Sequence, residues 1–290
     1  MANIVSIIDI GSNSIKLLVA DKSGPLKEDF RGSRIGEGIS EENFGIKENV
    51  IERNIAAIIE LLNEAKPYHP DLTIITGTSA VRDALNREEF CQRVQEATGI
   101  PVKILTGEEE ALTIARGITT DPNIKSYNEF CLFDVGGGSL ECIHYKDNNV
   151  LLASSLPLGI VRLTEKYITD PTLPIPHIEI QKIMDTISQS VGNFPIKGIP
   201  LIGSGGGFSE AKKILNEGSH LQLADLEALL TKLSSISMQD RIDKYNIPAF
   251  RADVMPAALA IIIALARRSK AKEIIHSHFS LRFGLAAQVL

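Results

Sequence analysis

Two stretches of this 290-residue chain share one form, and that repetition constrains the fold more than any other feature. Residues 4–9 are β-branched and apolar, Gly11-Ser12-Asn13-Ser14 is turn-like, and residues 15–20 are apolar again. Residues 130–134, Gly136-Gly137-Gly138-Ser139 and residues 140–145 repeat the same order. A strand, a tight polar turn and a second strand predict a β-hairpin. A hairpin that recurs roughly one domain length later predicts an internal duplication. Each first strand carries an aspartate shortly before its glycines, Asp9 in one and Asp134 in the other.

Between the hairpins, Val50, Ile51, Ile55, Ile58, Ile59, Leu61 and Leu62 recur at near-helical spacing before Pro67 and Pro70 force a break. A strand is expected over 72–76, a helix over 88–98 that stops at Gly99, a strand over 101–105 and a helix over 108–117 capped by Thr106. The polar segment 119–128 reads as a domain boundary, giving an N-terminal domain 1–120 and a second domain 121–280. A terminal helix over 281–290 is expected to pack back on the first. A third glycine cluster, Gly203-Ser204-Gly205-Gly206-Gly207, follows the apolar run 199–202 and precedes a helix starting at Phe208. A strand is expected over 273–277.

Composition narrows the function classes. With 44% hydrophobic residues the chain can bury a substantial core, and its length favours two domains. A formal net charge of -6 argues against nonspecific nucleic-acid binding. Cys91, Cys131 and Cys142 lack metal or disulfide spacing. The apolar stretch 254–266 contains Pro256 and falls short of the ~20 residues of a membrane helix, so it reads as a buried core helix. Asp9 interrupts the apolar opening too early for a secretory signal, and a cytoplasmic protein without a membrane partner is expected.

Glycine-serine turns after strands offer backbone N–H groups and close approach to a phosphate chain. Asp9 and Asp134, equivalent in the two hairpins, are suited to placing Mg²⁺. Gly11, Ser12, Asn13, Ser14, Gly136, Gly137, Gly138 and Ser139 are the expected phosphate cradle, with Lys16 and Arg82 as cationic partners or, alternatively, as surface ion-pair residues. Glu108, Glu109 and Glu110 open a helix, where three glutamates suit either a solvated first turn or a water-activating carboxylate.

Four segments occur in order: Asp9-Ile-Gly-Ser-Asn-Ser-Ile-Lys-Leu-Leu-Val-Ala, Thr78-Ser-Ala-Val-Arg-Asp-Ala-Leu-Asn, Leu105-Thr-Gly-Glu-Glu-Glu-Ala and Asp134-Val-Gly-Gly-Gly-Ser-Leu-Glu. With the stretch that starts Ser155-Leu-Pro-Leu-Gly and with Arg251-Ala-Asp253, they resemble the exopolyphosphatase/guanosine pentaphosphate phosphohydrolase (Ppx/GppA) family across nearly the whole chain. The resemblance implies an α/β architecture of the actin-like ATPase superfold, two RNase H-like domains with mixed sheets flanked by helices around an interdomain cleft, in a short two-domain member that is often a homodimer. It implies Glu110 as the catalytic base, and it puts Glu141 in the metal and water network with Asp9 and Asp134. Arg251 falls on a basic position of the family's second domain.

The sequence departs from the family in the third glycine cluster. There Gly205 and Gly206 keep their backbone donors, but Gly207 stands in place of a threonine and Phe208 and Glu210 alter shape and charge. Phe283 replaces a common acidic residue, which removes an expected terminal ion pair. The implied function is Mg²⁺-dependent release of terminal orthophosphate from inorganic polyphosphate or guanosine pentaphosphate. A non-catalytic polyphosphate or alarmone sensor and a sugar- or acetate-type kinase are the alternatives.

Overall fold

A computed structural model describes residues 2–192, 194 and 198–290. They form two compact units, Met1–Asp121 with Phe279–Leu290, and Pro122–His278.

The first unit runs β1 (Ile4–Ile10), β2 (Ser14–Asp21), β3 (Gly24–Gly32), α1 (Glu48–Ala65), β4 (Leu72–Gly77), α2 (Ser79–Asp83), α3 (Arg87–Thr98), β5 (Val102–Ile104) and α4 (Gly107–Ile118). Its sheet has the order β3-β2-β1-β4-β5, with β1, β2 and β3 antiparallel and β4 and β5 parallel to β1. β1 and β2 are buried along almost their whole length, so both read as continuous apolar runs instead of alternating ones. β3 is an edge strand, polar and half-exposed, with Pro25 near its start beside a register shift. Helix α3 ends on Gly99 at φ 73°. Helix α4 starts with a capping box: Glu109 N donates to Thr106 Oγ1 at 3.2 Å and Thr106 N to Glu109 Oε2 at 2.8 Å.

The second unit runs β6 (Glu129–Val135), β7 (Leu140–Lys146), β8 (Asn149–Leu156), α5 (Ile160–Tyr167), α6 (His177–Ser190), β9 (Leu201–Ser204), α7 (Gly206–Leu215), β10 (His220–Gln222), α8 (Leu223–Ser234), α9 (Met238–Tyr245), α10 (Ala249–Ala252), α11 (Met255–Ser269) and β11 (Glu273–His276). The sheet order is β10-β11-β9-β6-β7-β8. An antiparallel triplet followed by two parallel strands recurs here, with β10 added antiparallel at the edge. The duplication therefore extends from the hairpins to the whole sheet. Helix α11 is buried on nearly every face, as its unbroken apolar sequence requires.

The last helix, α12 (Leu281–Val289), returns to the first unit and packs on α4 and β1. Its approach is close because Gly117 and Gly284 carry no side chain; a Cβ at either would collide with backbone of the facing helix or its lead-in. Phe283 is buried there, its ring centroid 4.2 Å from that of Phe279, so the position holds an aromatic contact. Arg282 beside it donates to Leu17 O at 2.5 Å and to Glu28 Oε2 at 3.1 Å.

Candidate active site

The two hairpin turns share one hydrogen-bond pattern. Gly11 N donates to Ser14 O at 3.1 Å and Gly136 N to Ser139 O at 3.0 Å, and Ile10 pairs with Ile15 as Val135 pairs with Leu140. One step further from each turn, Asp9 stands opposite Lys16, and Asp134 stands opposite Glu141.

Each turn is braced from behind through all three of its carbonyls. In the first unit, Gly11 O accepts from Ser33 Oγ at 3.0 Å, Ser12 O from Gly36 N at 2.8 Å, and Asn13 O from Ser33 N at 3.0 Å and Arg34 N at 3.3 Å. In the second, Gly136 O accepts from Ile160 N at 3.0 Å, Gly137 O from Val161 N at 2.8 Å, and Gly138 O from Arg162 Nε at 3.1 Å. There the first amides of α5, which lack intrahelical partners, find them in the turn. A planar trans peptide sends its C=O and the following N–H in opposite directions. Bracing the carbonyls from one side therefore directs the N–H groups of residues 12–14 and 137–139 to the other, a set of donors suited to an anion. Two further glycines allow the brace. A Cβ on Gly36 would lie 2.8 Å from Ser12 Cβ, and one on Gly159 would collide with the backbone of Gly137 and Gly138. The hairpin spacing did not expose the brace: Gly159 entered only as part of the Ser155-Leu-Pro-Leu-Gly stretch, and Gly36 lies in a loop that carried no motif.

Arg82 and Glu110 meet in the first unit. Arg82 Nη1 donates to Glu110 Oε2 at 2.9 Å and to Leu105 O at 2.8 Å. Glu110 is buried, whereas Glu108 and Glu109 are exposed and Glu109 is taken up in the capping box. Helix α2, which carries Arg82, is tied to the first turn by Thr78 N on Ile10 O at 3.3 Å.

In the second unit the carboxylates are fixed by serines. Ser204 Oγ donates to Asp134 Oδ2 at 2.6 Å and Ser155 Oγ to Glu141 Oε1 at 2.7 Å. Glu141 is 1% exposed, so it does not face solvent.

The sequence profile of the Ppx/GppA phosphatase family matches residues 15–290. The chain belongs to this family. It is 31% identical over 175 residues to an uncharacterized protein of Streptomyces coelicolor, a match that covers 58% of this chain and 52% of that one, so the chain spans about half the length of this curated relative. The solved Ppx/GppA enzyme of Aquifex aeolicus matches with a TM-score of 0.80 at 24% identity, covering 99% of this chain and 100% of that one. An exopolyphosphatase structure from Cytophaga hutchinsonii matches with a TM-score of 0.85 at 23% identity, covering 98% and 97%. The fold is the actin-like ATPase fold of the Ppx/GppA structures, two mixed sheets flanked by helices.

The third glycine cluster departs from the Ppx/GppA pattern for reasons of packing. A Cβ on Gly207 would sit 2.9 Å from Ala258 Cβ on α11, which leaves no room for a threonine. Helix α7 begins at Gly206, two residues before the expected start, because Gly205 adopts φ 110° and turns the chain into it. Phe208 is 1% exposed and its ring lies over Gly203, so it belongs to the core and not to the rim of a phosphate site. Glu210 is buried beside Arg251, whose Nη1 lies 3.4 Å from Glu210 Oε2 and donates to Gly206 O at 3.0 Å.

Among the described residues no three His, Cys, Asp or Glu side chains gather as a metal group, and no helix is long and apolar enough to cross a membrane. The donor chemistry of Asp134 and Glu141 nevertheless fits Mg²⁺, which keeps most of its water and uses one or two carboxylates. Two buried carboxylates opposed in register repel each other unless a cation offsets them. Asp9 differs, since a lysine stands opposite it.

Proposed function

We propose that this protein is a Mg²⁺-dependent phosphohydrolase that releases terminal orthophosphate from inorganic polyphosphate or guanosine pentaphosphate. The observation that carries the reading is the bracing of both turns, which directs two arrays of backbone N–H groups toward one kind of ligand, a phosphate chain. Membership in a phosphatase family supports the hydrolytic outcome.

In this reading the amides of residues 12–14 and 137–139 hold phosphate oxygens, joined by Gly205 and Gly206 and by the side chains of Lys16 and Arg82. Glu110 orients the attacking water and takes its proton. The charge-assisted bond from Arg82 fixes Glu110 before substrate arrives. A phosphate drawn to Arg82 competes for the same guanidinium, which loosens Glu110 for proton transfer as the substrate binds. Asp134 and Glu141 would hold Mg²⁺, whose charge would offset that developing on the phosphoryl oxygens.

Orthophosphate release in the presence of Mg²⁺, compared across polyphosphates of graded length, guanosine pentaphosphate and ATP, tests the assignment and ranks the substrates. Glu110→Gln is expected to lower kcat by about 10²–10⁴-fold while substrate binding persists. Wild-type turnover in that variant, or no phosphate release from any of these substrates, would refute the reading.

A further inference from the structure

Asp134 and Glu141 belong to a longer row. Ser204 on β9 pairs in register with Asp134 on β6, Asp134 with Glu141 on β7, and Glu141 with Ser155 on β8. Residues paired in register share one face of a sheet. Four neighbouring strands thus present serine, aspartate, glutamate and serine side by side, and each outer hydroxyl donates to the carboxylate next to it, at 2.6 Å and 2.7 Å.

The equivalent row of the first unit has a different character. Thr76 pairs with Asp9, Asp9 with Lys16, and Lys16 with Phe30. The Thr76 hydroxyl turns to Ile8 O at 3.4 Å and not to the aspartate. Lysine takes the place of glutamate, so the pair is formally neutral, and the outermost position is an exposed phenylalanine. The duplicated frame has therefore kept one row with two negative charges and hydroxyl orientation, and one with neither.

We infer that Ser155 and Ser204 are positioning residues of a divalent-cation site confined to the second unit. Each hydroxyl spends its proton on one oxygen and so fixes the rotamer of the carboxylate that would face the cation. Hydrogen-bond partners of this kind orient metal-binding carboxylates and tune their affinity. This rests on the metal reading given above for Asp134 and Glu141.

Mn²⁺, a spectroscopic substitute for Mg²⁺, gives a readout independent of turnover. Binding to the whole protein is measured by electron paramagnetic resonance for wild type, Ser155→Ala, Ser204→Ala, Ser155→Thr and the double variant Asp134→Asn/Glu141→Gln, with circular dichroism confirming that each is folded. Wild type is expected to take up Mn²⁺ that Mg²⁺ displaces, each alanine variant to bind about tenfold more weakly, and Ser155→Thr, which keeps the hydroxyl at a half-buried strand position, to bind as wild type does. In phosphate release, the alanine variants should need more Mg²⁺ for half-activation, while KM at saturating Mg²⁺ stays unchanged. Wild-type Mn²⁺ affinity in folded Ser155→Ala and Ser204→Ala overturns the role of the serines and leaves the carboxylate site standing. No Mn²⁺ uptake by wild type, or unchanged uptake by the double variant, overturns the metal reading itself and this inference with it.

Discussion

Arg241 shows how far a single residue can organise the second unit. It is fully buried, and its guanidinium donates to the carbonyls of Leu233, Pro171, Ala252, Leu173 and Ile236, at distances of 2.8–3.2 Å. Burial pushes its pKa down to about 10, with the charge of Asp253 acting in the opposite sense, so it remains a cation at neutral pH. The carbonyls come from the end of α8, the lead-in to α9, α10 and the loop before α6, so one side chain joins four segments. Methionine at this position matches much of the volume but leaves the carbonyls unpaired. Arg241→Met should lower unfolding free energy by ~3–5 kcal/mol in urea titration. Arg241→Lys should also destabilise, because three donors on a point charge cannot reproduce the planar fork. Stability equal to wild type in both variants would show that the loops hold themselves.

At the scale of elements, the brace behind each turn makes a sharper test than the turn itself. Gly159 is the N-cap of α5 and adopts an extended backbone, φ -77° and ψ 163°, that any residue can adopt. Its requirement is space alone, because a Cβ would enter the backbone of the facing turn. Gly159→Ala should therefore push α5 away from the turn, break the bonds from Ile160 and Val161, and weaken phosphate binding; inorganic phosphate competition and turnover are expected to suffer more than thermal stability. The reverse order, a large loss of melting temperature with normal turnover, would count against the brace as a functional device. The same elements show what the sequence discloses. The hairpins, the α3 stop at Gly99 and the Thr106 cap were legible because each is a local rule expressed in adjacent residues. β3 was not, since an edge strand reading Gly-Pro-Leu-Lys-Glu-Asp-Phe-Arg-Gly carries no buried face to set a period. Of the site, the turns and aspartates were visible as a repeated motif, but Ser155 and Ser204 acquire their partners only through strand register, and the burial of Phe208 depends on the space that Gly203 leaves beneath its ring.

For the molecule as a whole, the two units differ in how the chain closes them. The second is a continuous stretch, 122–278, whereas the first is completed by the last twelve residues. Those residues supply α12, which covers α4 and β1, and Arg282, which joins Leu17 on β2 to Glu28 on β3. Burial lowers the pKa of Arg282, with Glu28 and Asp9 opposing that shift, so its charge is held by the carboxylates of the same unit. Ending the chain at residue 278 strips the apolar cover from α4 and leaves Glu28 without its arginine. The second unit loses none of its own strands by the same cut. Hydrogen exchange should then separate the units: amides of β1, β2 and α4 lose protection, while those of β6, β7 and β9 keep it. Buried apolar area decides the size of the effect, because α12 contributes Leu281, Phe283, Leu285 and Ala286 to the core, and roughly 1.5–3 kcal/mol is at stake for each large side chain. That sum is comparable with the whole stability of a domain this size, so the truncated first unit should be largely unfolded at 25 °C. Uniform protection across both units after truncation would mean that α12 is an ornament on the first sheet and not its closing element.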